Sequence, residues 1–171
     1  MACGGRATPM SPELAAFLPL LLVAPLLAAM ALGDLRRLRI PNWLVLSMVA
    51  VFVLTAPFLL PAPEIGWRLA AAVAVYVLGL AGFALGLWSG GDVKAVSALM
   101  LFLPSATLTI YAFTFSASMF AGMTMVLSLR AVIGTPESAW RSLRPRAEFP
   151  MGVSIALSGF LLPPAVMLLI S

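Results

Sequence analysis

Asp34 and Asp92 are the only aspartates in this chain, and each stands at the edge of a long apolar run beside basic residues. The first lies in Gly33-Asp34-Leu35-Arg36-Arg37-Leu38-Arg39-Ile40-Pro41-Asn42, the second in Ser89-Gly90-Gly91-Asp92-Val93-Lys94. A carboxylate beside hydrocarbon is expensive to keep, which marks both as candidate functional groups. Two carboxyls too close to ionise together can share a proton. One then takes a proton from water while the other donates to a scissile carbonyl. That is aspartic hydrolysis of a peptide bond, and it needs no metal, nucleophilic serine or histidine. The chain has no histidine and a single cysteine, Cys3, so neither a metal site nor a cofactor is expected.

Helix ends suggest roles. Asp92 stands where a helix begins, and the positive end of the dipole there favours the charged form, hence the base. Asp34 stands near the end of the first helix, where the dipole favours the protonated form, hence the acid. Arg36, Arg37 and Lys94 oppose the second effect, and an interacting pair titrates as a unit, so the assignment stays open. The plainer reading is a solvated counter-charge at Asp34 and a helix cap at Asp92. Glu13 and Glu64, on the far side, and Glu137 and Glu148, in a polar loop, are weaker candidates.

The elements that must position these groups follow from composition. The chain is 63% hydrophobic and 9% charged, with a mean hydropathy of +1.11. A soluble domain of this length has no use for so much apolar surface, so the bilayer is the expected solvent. The apolar runs are long and do not alternate, which predicts an all-α, multi-pass membrane protein rather than a barrel. About six spans are expected, at residues 14–33, 42–60, 67–88, 93–103, 106–129 and 152–170, forming one domain. The fourth is too short to cross alone: it either runs on through Pro104 or stays a half-crossing buried against its neighbours. Pro19 and Pro25 predict a kink in the first. Gly82, Gly86 and Gly90, four residues apart, are expected to line one helix face for close packing.

Alternating the spans puts Arg36, Arg37, Arg39, Lys94, Arg130, Arg141, Arg144 and Arg146 on one side, with Arg6 and Arg68 on the other. By the positive-inside rule the first group is cytoplasmic, and the same alternation brings Asp34 and Asp92 to that face. The net charge of +4 is therefore explained by orientation in the membrane, and nucleic acid is excluded as a partner. In the loop at residues 130–149, Thr135-Pro136-Glu137 has the residues of a helix start, and with Trp140 a short interfacial helix is expected, against a plain solvated loop. Arg6, the first apolar run and Ala29-Met30-Ala31 also fit a cleaved secretory signal, but cleavage there would remove the helix leading to Asp34.

At these residues the chain resembles the prepilin peptidases (type IV leader peptidases), aspartic proteases of bacterial inner membranes. The matching pieces are Asp34 followed by Ile40-Pro41-Asn42, then Gly90-Gly91-Asp92-Val93-Lys94, then Pro150-Met151-Gly152-Val153-Ser154-Ile155-Ala156 opening the last span. Its length is similar to the short TadV/CpaA-like branch that serves Flp-type pili. The resemblance implies Asp34 and Asp92 as the catalytic pair and a G-x-G-D-type loop in which Gly90 and Gly91 shape the bend. It also implies contributions from Pro41, Asn42, Pro150 and Gly152. Ser89 stands where the family usually has glycine, and Met151 where an aromatic residue is frequent. The implied substrate is a prepilin or pseudopilin precursor with a basic leader and an apolar helix, cut without N-methylation. Lys94 or Arg36 is then expected to pair with an early glutamate of the mature part. The rival readings are a small proton-coupled transporter and a catalytically inactive assembly subunit. Oligomeric state is left open.

Overall fold

Apolar runs in lipid must satisfy their own backbone, and helices do so residue by residue. The computed structural model describes residues 12–170 and contains helices α1 (Pro12–Arg37), α2 (Asn42–Leu59), α3 (Ala62–Ala84), α4 (Gly90–Met100), α5 (Leu108–Ile133) and α6 (Met151–Ile170). Single 3₁₀ turns occur at Ser105–Thr107 and Arg141–Leu143, and there is no strand among the described residues. Arg6 and Cys3 lie outside the described residues. Five helices, all but α4, are long and apolar enough to cross a membrane. Side chains such as Phe58, Phe113, Phe120, Val132 and Leu168 point outward and stay exposed. Only a surface bathed in lipid makes that pattern stable.

The core is built around α4. It packs against α3 on one side and α2 and α6 on the other, while α6 is sandwiched between α1 and α5. Ala95, Leu99, Phe102 and Leu103 on or just after α4 are at most 1% exposed, and Phe52 meets Phe102 edge-on at 5.8 Å.

The fourth segment resolves as a short helix followed by a buried break. Eleven residues rise only about 16 Å, too little to cross. The chain continues through buried Leu101–Leu103 in i→i+3 turns and reaches Ser105, which meets Glu64 in the first turn of α3. Broken backbone is tolerated at membrane depth only when protein satisfies it. Glu64 does this: it accepts the Ser105 amide at 2.9 Å and the Ser105 hydroxyl at 2.6 Å. Arg68, 1% exposed, donates to the same carboxylate at 2.9 Å.

Two local expectations are corrected. The glycine ladder on the third span does not exist, because α3 ends at Ala84. Gly86 adopts φ +73°, with Leu87 N–H reaching Gly82 O (2.9 Å) and Gly86 N–H reaching Phe83 O (3.0 Å), a Schellman cap that a residue with a side chain would strain. Gly82 still serves close packing, since a Cβ there would lie 2.5 Å from the Trp88 ring. No helix starts at Thr135; that loop has two isolated turns and a 3₁₀ turn, held by tertiary hydrogen bonds rather than its own cap. Pro19 and Pro25 sit inside one continuous α1.

Candidate active site

Asp34 lies in the last turn of α1 and is 4% exposed. The helix is stopped by Leu38, whose amide caps Asp34 O at 2.8 Å while its own φ is +53°. The chain then turns through Ile40 into Pro41, which precedes α2. Across the bundle the start of α6 points at Asp34. Gly152 N–H donates to Asp34 Oδ2 at 2.7 Å. The contact requires a glycine, since a Cβ at 152 would lie 2.9 Å from both Cβ and Oδ2 of Asp34. A free amide at a helix start suits a carboxylate.

Asp92 is in the first turn of α4, whose N-cap is Ser89. The Ser89 hydroxyl accepts the Asp92 amide at 3.3 Å, the side-chain bond of a helix N-cap. Ser89, which departs from the family pattern, therefore has a definite job. Gly90 and Gly91 open α4 without a positive φ; the bend before Asp92 is made upstream, at Gly86. A side chain at 91 would make only ordinary contact with Ile40 and the Ser89 hydroxyl, both at 3.6 Å.

The two carboxyls share one cleft. It is lined by Asp34, Leu38, Arg39, Ile40, Ser89, Asp92, Glu148, Phe149 and Met151, and its volume is ≈ 50 Å³. A water needs roughly 10–15 Å³ of such space, so the cleft has room for water between the two carboxyls. The charge on Asp92 is felt at Asp34. Burial pushes the Asp92 carboxyl above its ordinary range and Glu148 adds to this, while the bonds from Ser89 hold it down; the net direction is upward. The helix dipole alone therefore does not decide which carboxyl is charged.

Sequence reasoning placed Glu148 only in the polar loop, yet it lines this cleft. Its position two residues ahead of the Pro150-Met151-Gly152 motif was the available signal. The loop is drawn over the site by a chain of contacts. Arg130, at the end of α5, donates to Ser142 O (2.8 and 3.1 Å) and to Glu148 O (3.4 Å). The buried Ser142 hydroxyl donates to Leu35 O at 2.6 Å, one residue past Asp34.

The other sequence candidates fall outside the cleft. Arg36 lies over the Trp140 ring at 5.3 Å. Lys94 donates to Asn42 Oδ1 at 3.3 Å and lines a separate apolar groove of ≈ 310 Å³ between α2, α3 and α4. Pro41 precedes α2 as its N-cap, and buried Pro150 leads into α6, its carbonyl accepting the Val153 amide at 3.3 Å. Among the described residues no group of three or more acidic, cysteine or histidine side chains could hold a metal ion.

Neither a curated protein nor a solved structure matches the chain. The model of the type IV leader peptidase family matches residues 21–127, a stretch that includes both aspartates and ends before Gly152. The chain is a multi-pass membrane protein that belongs to the type IV leader peptidase family.

Proposed function

We propose that this protein is a membrane aspartic endopeptidase that removes the basic leader from type IV or Flp-type prepilins, without N-methylating the product. In this reading it works at the cytoplasmic face of a bacterial inner membrane. The observation that carries it is the meeting of Asp34 and Asp92 in one water-sized cleft, in a chain of a leader peptidase family.

One carboxyl, ionised, takes a proton from the water as it attacks the scissile carbonyl. The other, protonated, donates to the carbonyl oxygen as the tetrahedral centre forms; the proton then passes to the leaving nitrogen as the C–N bond breaks. The Gly152 amide fixes Asp34 from the α6 side, and the Ser89 cap fixes Asp92. Preorganisation of this kind is what a two-carboxyl mechanism needs, because small errors in placement are expensive. The cleft and the basic residues Arg36, Arg37 and Arg39 share one end of α1, which fits a cytoplasmic site under the positive-inside rule. Lys94, held by Asn42, and Arg36 stand near this end as partners for an acidic residue of the mature pilin.

A proton-relay transporter would want acids spaced along the bundle. Here Glu64 sits at the opposite end, tied to Arg68 and Ser105, with no acid between it and the cleft along α3 or α4. Co-expression with candidate prepilins tests the proposal through the size shift of the precursor. Asp34→Asn and Asp92→Asn should each abolish processing while membrane insertion persists. Full processing by either variant would refute the dyad.

A further inference from the structure

Glu148 is an anomaly in the cleft. Its backbone is held by Arg130, but its carboxylate has no ion-pair partner among the described residues. Arg39 lines the same cleft without pairing with it, and Arg141, Arg144 and Arg146 on its own loop do not reach it. The carboxylate is exposed and stands close enough to Asp92 for its charge to be felt there. A third acid next to two others is electrostatically unfavourable, and among the described residues no cation, Arg39 included, forms an ion pair with it. The rest of this end is crowded with arginines, which would repel a basic segment arriving from the aqueous side.

We infer that Glu148 is a specificity-determining residue that receives a cationic side chain of the substrate's leader at the mouth of the cleft. The inference rests on the leader-peptidase reading and deepens it. The missing cation arrives with the substrate, so the local charge balance is completed only in the complex. The contact lies on the leader side of the scissile bond, because the mature apolar helix must remain in lipid while Glu148 is on the loop above the bundle end. Glu148 makes no contact that folding depends on through its side chain, so its substitution leaves the scaffold intact.

The test uses the full chain in lipid nanodiscs with a precursor whose leader lysines and arginines are replaced one at a time by glutamine. Glu148→Gln should raise KM for the basic precursor about 3- to 10-fold, the range of a partly exposed ion pair, with kcat little changed. One leader position should lose its effect in the Glu148→Gln background while the others keep theirs. Glu148→Lys should be rescued by a lysine-to-glutamate change at that position. A parallel measurement of binding of the isolated leader peptide to Asp34→Asn, with and without Glu148→Gln, should give the same ratio without catalysis. Cutting by the unsubstituted chain that ignores leader charge, or equal losses in both backgrounds at every leader position, would overturn the role of Glu148 alone. Absence of any cutting by the unsubstituted chain would overturn the leader-peptidase reading, and this role with it.

Discussion

Gly152 and Asp34, 118 positions apart in the chain, are joined by a 2.7 Å hydrogen bond from the amide of one to the carboxylate of the other. The bond ties the start of α6 to the end of α1, and no Cβ fits between them. Gly152→Ala should push Asp34 out of place by a few tenths of an ångström or more. Since a displacement of about 1 Å can cost roughly 100-fold, processing should fall about 10- to 100-fold, mainly in kcat. Initial-rate assays on equal amounts of inserted protein will decide; an unaltered kcat would show that this contact does not position the carboxyl.

Ser89 caps α4, its hydroxyl accepting the Asp92 amide. Ser89→Ala removes the capping oxygen and should destabilise α4 by about 1 kcal/mol. Ser89→Gly restores the usual family residue and should cost only a few tenths of that, with processing preserved. Thermal unfolding in detergent together with precursor cleavage checks the order: Ser89→Ala is expected to be worse than Ser89→Gly in both.

The raised pKa of Asp92 has a stability consequence whose sign is definite. The folded protein binds that proton more tightly than the unfolded chain does, so stability falls as pH rises from the ordinary carboxylate value through the raised one. At pH 7 the half-buried charge is therefore a net burden, and Asp92→Asn should unfold at a higher temperature than the parent while being inactive. Near pH 3 the two should unfold together. A lower unfolding temperature for Asp92→Asn at pH 7 would contradict the burial argument.

At the other end of the bundle, buried Arg68 pairs with the partly exposed Glu64, which also holds Ser105. Removing Arg68 takes a charge-assisted hydrogen bond from Glu64, typically at a cost of about 1.5–3 kcal/mol, while the two Ser105 bonds remain. Arg68→Ala should therefore lower the yield of folded protein sharply, whereas the surviving folded fraction should cleave with near-normal kcat. A selective loss of kcat at normal yield would assign Arg68 to the chemistry instead.

How far the sequence carried can be read from particular residues. The spanning helices were legible because each is a long apolar run, and the meeting of Asp34 and Asp92 followed from counting crossings and placing the arginines. The end of α4 was not legible. Pro104 is the obvious breaker, but the helix stops at Met100 and gives way to 3₁₀-type turns through Leu103, with Ser105 held by Glu64, 41 positions earlier. The glycine spacing at 82, 86 and 90 mimicked a packing face, while the real event was a left-handed cap at Gly86. Glu148 could be suspected only from its nearness to Pro150-Met151-Gly152, because its place also depends on Arg130 and Ser142, contacts no local pattern encodes.

The carboxyls come from different packing partnerships: Asp34 is fastened to α6, whereas Asp92 rides on α4, which leans on α3. The proposed reaction centre is thus a seam and not a possession of either half. Two fragments parted in the turn before Ser89, expressed separately, should each be inert and should regain cleavage when made together in one membrane.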